Sequence, residues 1–172
     1  MARGDDEFVE FAKLNSARLI HAAFLLTGDR HEAEDLAQAA LVRTYASWSR
    51  VRRHGAAAYA RTALVNLVRD QWRRPLREHA TDVLPERIGW TDFAEEVADR
   101  RWILDLLGSL APQERVVVVL RHYFDLSEAQ AAAELKVSVG TIKSTNARAL
   151  IKLRALAHAM RERDAVTRGG DR

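Results

Sequence analysis

The chain contains no cysteine, which excludes a disulfide, a thiolate metal site and a thiol redox sensor. Its 6 histidines, His21, His31, His54, His79, His122 and His158, are scattered, and no two stand at a metal-ligand spacing such as i and i+4 on one helix, so no metal site is expected. No apolar run resembles a membrane span. The amino-terminal MARGDDEFVEF is acidic and has no apolar segment, which argues against secretion and for a cytoplasmic protein without membrane insertion. A nucleophile with an ordered base, a glycine-rich phosphate loop and a ligand cluster are all missing, so neither an enzyme nor a cofactor is expected.

What is present is a chain of 172 residues, 48% hydrophobic and 30% charged. That suits a soluble globular protein with compact helical cores, as one domain or two small ones. The net charge of +3 conceals alternating blocks. From Asp5 to Ala40, 8 acids face 3 bases; from Arg50 to Arg77, 8 arginines face Asp70 alone. From Glu78 to Asp99, 7 acids face Arg87, and from Lys136 to Arg163, 7 bases face Glu162. Two basic blocks separated by an acidic spacer fit two nucleic-acid contacts, because clustered Arg and Lys neutralise phosphate; solvated helix faces are the alternative.

Helical periodicity runs through most of the chain. Phe8, Phe11, Leu19, Ala22 and Leu26 mark a first helix that stops at Thr27-Gly28-Asp29, where a second begins. In that second helix Ala33, Leu36, Ala37, Ala40, Leu41, Thr44, Tyr45 and Trp48 form an apolar stripe, with Glu32, Asp35, Ala39 and Arg43 on or near the outer face. A basic loop, Arg50 to Gly55, leads to a third helix. There Ala60, Ala63, Leu64 and Leu67 face inward, Arg61, Arg69 and Arg73 lie on another face beside Asn66, and Pro75 ends the helix. Tyr59 and Trp72 are assigned to packing rather than to base stacking.

From Leu76 to about Ala98 the rhythm weakens, acids accumulate, and Pro85 and Gly89 punctuate, as in a linker with one loose turn around Asp92 to Ala98. Trp90 is either a packing contact or a foot for a partner's groove. Trp102, Leu106 and Leu110 form the next helix, Pro112 opens another, and Val116 to Leu120 is buried on nearly every side. Four consecutive valines suit a strand as well, but the Pro-Gln-Glu opening and the helical neighbours decide for helix.

The segment LSEAQAAAELKVSVGTIK, from Leu126 to Lys143, is the most informative. Ser127 and Gln130 make a capping box, and Ala131, Ala132 and Ala133 keep one side thin. Lys136-Val137-Ser138 is a tight turn, Ser138 caps the next helix, and Val139 with Ile142 holds the two helices together. Thr141, Lys143, Ser144, Thr145 and Arg148 are left outward at the start of the second helix, where a helix-turn-helix reads a major groove. A plain helical hairpin is the alternative.

Three of these segments carry a family resemblance. AEDLAQAAL at Ala33–Leu41, YARTALVNLVRDQWRR at Tyr59–Arg74 and LAPQERVVVVLRHYFDLSEAQAAAELKVSVGTIKS resemble, in order and separation, the bacterial RNA polymerase sigma factors of the extracytoplasmic-function class, nearest their actinobacterial branch. The match spans roughly 8 to 156. It implies an all-α protein of two small helical domains joined by an acidic linker: a region-2 domain at 5–77, a linker at 78–100, a region-4 helix-turn-helix domain at 101–160 and a polar tail at 161–172.

The resemblance also implies roles. Asp35 and Gln38 would dock on core RNA polymerase. Arg50, Arg52 and Arg53 in the loop, with Arg61, Asn66, Arg69 and Arg73 on the helix, would bind the minus-ten element and capture an extruded base, with Asn66 offering both donor and acceptor. Thr141, Lys143, Ser144 and Arg148 would read the minus-thirty-five element. Promoter DNA, core polymerase and an anti-sigma factor are the implied partners. Two departures stand out. Ala39 replaces the family's usual Glu, and Thr145 with Asn146 replaces its frequent Arg, whose bidentate guanine contact is worth about 1–3 kcal/mol. The reading from another class is a stand-alone helix-turn-helix regulator, which would need a dimer surface that no heptad or extra stripe supplies.

Overall fold

A computed structural model of the chain describes residues 3–51, 55–73 and 94–169. All regular structure among them is helical. The helices are α1 (Arg3–Thr27), α2 (Arg30–Ala46), α3 (Ala56–Arg73), α4 (Ala94–Gly108), α5 (Pro112–Val118), α6 (Glu128–Leu135) and α7 (Val139–Gly169). A π-helical turn, Val119–Tyr123, continues α5. The all-α expectation holds, and the valine run is helical.

The boundaries follow local chemistry. Gly28 adopts φ 76, a left-handed value that ends α1 cheaply only without a Cβ. Asp29 then caps α2, its side chain accepting from the Glu32 N–H at 2.8 Å. At α5, Pro112 occupies the first turn, where its missing N–H costs nothing. Alanine at position 111 has no capping side chain, so the Glu114 carboxylate reaches back to the Ala111 N–H at 3.1 Å.

Helices α1, α2 and α3 pack around Leu19, Ala22, Ala23, Leu26, Ala33, Leu36, Ala37, Ala40, Ala60, Leu64 and Val68. The predicted α2 stripe is buried at Ala33, Leu36, Ala37, Ala40 and Thr44. Tyr45 departs from it: it is exposed and donates to Asp5 at 2.8 Å. Trp48 lies beyond the helix end, against Phe8 and Phe11. In the second half, Val116, Val117, Val119, Leu120, Phe124, Leu126, Ala131, Leu135 and Ile142 are buried, and the same core continues across both halves. Leu107, Leu110, Val118 and Ala149 form a smaller cluster beside it.

Helix α4 begins at Ala94, so regular structure reaches into the segment read as linker and starts before Arg101. Leu110 lies past the end of α4 yet is buried. Arg52, Arg53, Pro75, Trp90 and most of the linker lie outside the described residues.

Candidate nucleic-acid interface

The helix-turn-helix is built by short-range polar contacts on an apolar base. Ser127 Oγ accepts from the Gln130 N–H at 3.1 Å, and the Ser127 N–H donates to Gln130 Oε1 at 2.8 Å, closing the predicted capping box. At the other end of α6, Lys136 takes the left-handed conformation, φ 57 and ψ 45. The Val137 N–H then reaches Ala132 O at 3.0 Å, satisfying an otherwise orphaned carbonyl. Ser138 Oγ accepts from the Thr141 N–H at 3.0 Å and starts α7 as expected.

On α7 the buried row is Ile142, Thr145 and Ala149, spaced i, i+3, i+7. Three expectations differ from what α6 and α7 show. Thr145 is 3% exposed and faces the core, not DNA, because it falls on that row. Val139 is 41% exposed and only partly packed, because it is the first residue of α7 and no preceding turn of that helix covers it. Ala133 likewise faces solvent, while Ala131 and Ala132 give the close approach.

Thr141, Lys143, Ser144 and Arg148 are all exposed. They are not idle in the free chain. The Thr141 hydroxyl bonds Ser138 Oγ at 2.8 Å, Ser144 Oγ donates to Thr141 O at 3.2 Å, and Lys143 stands 3.7 Å from Glu128. Arg148 donates to Thr145 Oγ1 at 3.4 Å. Asn146 is half-buried, and its Oδ1 lies 3.0 Å from His122 Nε2 on the π-helical turn, an arrangement that leaves its amide nitrogen to donate.

Behind this surface Glu114 braces α7. Lys152 Nζ donates to both carboxylate oxygens at 2.8 and 2.9 Å. That ammonium holds the Glu114 carboxyl below its ordinary range, although burial pushes the other way and the Ala111 N–H assists. Arg115, whose guanidinium pKa is depressed by burial, donates to Leu26 O at 2.8 Å, Gly108 O at 3.1 Å and Leu110 O at 3.4 Å. It thereby closes the carboxyl ends of α1 and α4.

In the first half, Asp35 and Gln38 are exposed on one stripe of α2, off the buried row. Val42, missed in the sequence reading, extends that stripe and is 67% exposed. Its position four residues past Gln38 was the available signal. Arg50 and Asn66 are exposed, Arg69 is half-buried, and exposed Arg73 pairs with Asp70 at 2.7 Å. Trp72 packs on the core beneath Arg115, as expected. Tyr59 is 37% exposed, with its hydroxyl 2.9 Å from Ser47 Oγ, so it is less buried than a core residue.

Arg61 stands apart from Asn66, Arg69 and Arg73. Its Nε and Nη2 donate to Glu134 of α6 at 2.9 and 2.7 Å, with side-chain exposures of 16% and 6%. The structure thus groups Asn66, Arg69 and Arg73 on α3 and the four polar residues on α7, but turns Arg61 toward the helix-turn-helix.

This all-helical architecture defines a helix-turn-helix protein with a second helical unit in front of it. Comparison with known proteins narrows the class. Residues 100–153 match the Sigma-70 region 4 family and residues 11–78 the Sigma-70 region 2 family. The RNA polymerase sigma-E factor of Streptomyces avermitilis is 42% identical over 157 residues, covering 90% of this chain and 87% of that protein. The ECF RNA polymerase sigma factor SigL of Mycobacterium tuberculosis is 33% identical over 141 residues, covering 76% and 77%. Among solved structures, the Bartonella quintana sigma factor RpoE, crystallised with the anti-sigma factor NepR, aligns with a TM-score of 0.67 at 24% identity over 88% of this chain and 97% of that one. CnrH, in complex with the cytosolic domain of CnrY, aligns with a TM-score of 0.65 at 23% identity, covering 90% of each chain. The chain therefore belongs to the sigma-70 family, as an RNA polymerase sigma factor of the extracytoplasmic-function class. It is a polymerase-binding transcription initiation factor, which sets aside the stand-alone regulator.

Proposed function

We propose that the two halves divide the initiation task by residue as follows. The α2 stripe of Asp35, Gln38 and Val42 docks on core RNA polymerase. Arg50, Arg52 and Arg53 with Asn66, Arg69 and Arg73, and with Arg61 when it is free, hold the minus-ten element, and Asn66 takes a base edge. Thr141, Lys143, Ser144 and Arg148 read the minus-thirty-five duplex.

The observation that carries this reading is the register of α7. Ile142, Thr145 and Ala149 are buried, so Thr141, Ser144 and Arg148 necessarily share the outward side at the start of that helix. Thr145 supplies no base contact. With the family's Arg gone, sequence discrimination falls to Ser144, Arg148 and the Asn146 amide. The domain limits 5–77 and 101–160 express the same division, although α4 begins at Ala94 and α7 runs on to Gly169, into the stretch expected as a polar tail.

An anti-sigma factor is the regulatory partner proposed, as the kind of protein that the solved RpoE structure holds. No helix among the described residues is long and apolar enough to cross a membrane, which is consistent with action in the cytoplasm, where core polymerase resides. The test is co-elution of the purified chain with bacterial core polymerase at physiological salt, followed by open-complex formation. A stoichiometric complex that fails to form with Asp35 and Gln38 replaced by Ala is the expected result. Full binding by that variant would remove α2 from the interface.

A further inference from the structure

We propose that the Arg61–Glu134 pair is a latch, in which the helix-turn-helix half of the free chain occupies a guanidinium that promoter DNA would otherwise take. The proposal rests on the reading of Arg61 as a minus-ten contact. Arg61 Nε spans both carboxylate oxygens, at 3.2 and 2.9 Å, and Nη2 adds a third bond at 2.7 Å. This is a charge-assisted two-pronged contact, the geometry that a guanidinium also makes with phosphate. A phosphate and Glu134 therefore compete for the same donors.

The surroundings fit a contact that can be exchanged. Phe124 lies beneath both Arg61 and Arg18, with guanidinium carbons 5.5 and 5.2 Å from the ring centre. Beside it a small cavity opens between α1 and α3, lined by Asn15, Arg18, Leu19, Ala60 and Arg61 among others, with Phe124 reaching it from the second half. Two further polar bridges among the described residues, Tyr123 Oη to Arg18 O at 3.1 Å and Arg115 to Leu26 O, end on main-chain carbonyls. Of these three bridges among the described residues, the one from Arg61 uses a side chain assigned to DNA.

Closure masks one DNA-binding side chain and spares the rest, because Arg50, Asn66, Arg73, Thr141, Ser144 and Arg148 stay exposed while the Arg61 side chain is 16% exposed. The halves are joined by the 20 residues between Arg73 and Ala94. Fully extended, such a chain spans up to ~70 Å, so covalent geometry permits separation.

The absence of native cysteine allows spin labels at Ala58→Cys and Ala133→Cys, both exposed and close in sequence to Arg61 and Glu134. Pulsed electron resonance on the full chain should give one short distance, and Glu134→Ala should move most of the population to longer ones. Anisotropy with a fluorescein-labelled oligothymidylate of about 12 nucleotides should then show roughly tenfold tighter binding, the gain when a one-tenth populated open state becomes dominant. Adding Arg61→Gln should abolish the gain.

Unchanged distances in Glu134→Ala would overturn the latch, as would longer distances without tighter binding. A gain that survives Arg61→Gln would overturn the assignment of Arg61 to DNA, a different failure visible on its own. If Glu134→Ala does not fold, the swapped pair R61E with E134R decides. It should keep the short distance while binding poorly, and a long distance there would sink the pairing.

Discussion

At the residue scale, Lys136 carries the clearest strain. It is a non-glycine residue at φ 57, in a conformation that costs an L side chain roughly 1 kcal/mol. Lys136→Gly should raise stability by up to about 1 kcal/mol in urea unfolding, less the added freedom of the unfolded chain. Glu114 contributes a pH dependence on the acid side. Its folded pKa is lowered, so in the window just below the ordinary value of 4.5 the unfolded chain binds more protons. Its stabilisation is full above that value and is lost as pH falls through the lowered one. Lys152→Met should therefore weaken the protein at neutral pH, by about 1–2 kcal/mol because Lys152 is half exposed, and should flatten the loss of stability on acidification. An unchanged acid profile in thermal melts would exclude this pair as the cause.

At the element scale, α7 is both a core helix and a reading surface. Because Ile142, Thr145 and Ala149 take the core side, Lys143 and Arg148 can be replaced without disturbing packing. Lys143→Ala with Arg148→Ala should lower duplex affinity and flatten its salt dependence by about 0.9 in logarithmic slope for each phosphate no longer neutralised. An unaltered slope would take α7 off the duplex. On α3, Asn66 is exposed, and Asn66→Ala should impair promoter opening, followed by permanganate reactivity, more than initial duplex binding. Equal losses would count against base capture.

At the scale of the whole molecule, the two halves share one core and are bridged by Arg61, Arg115 and Tyr123. Arg115 joins elements far apart in sequence through three carbonyls and leaves its Nε without a partner. Val42 faces away from this core. Val42→Asp should leave the melting temperature of the free chain nearly unchanged, since exposed substitutions rarely exceed about 0.5 kcal/mol. Its affinity for core polymerase should nevertheless fall about tenfold or more, the direction given by a charge entering an apolar contact. Normal affinity in a pull-down titration would place the docking stripe elsewhere.

Local patterns were legible in the sequence because their causes are local. The stop at Gly28, the Ser127–Gln130 box, the Ser138 cap and the buried α2 row depend on neighbours within a turn or two, and periodicity reports them. The start of α4 at Ala94 was blurred, because the apolar rhythm there is weak, although Asp92 with Glu95 offers a capping pattern in the sequence. Thr145 was misplaced because a polar side chain on the inward row looks like a surface residue until the packing partner is known. Arg61 shows the remaining limit. Its type and spacing mark it as one more cation on a basic helix, but its partner is Glu134, 73 positions away. Which carboxylate meets which guanidinium across such a separation depends on how the two halves pack, and that choice belongs to the tertiary structure.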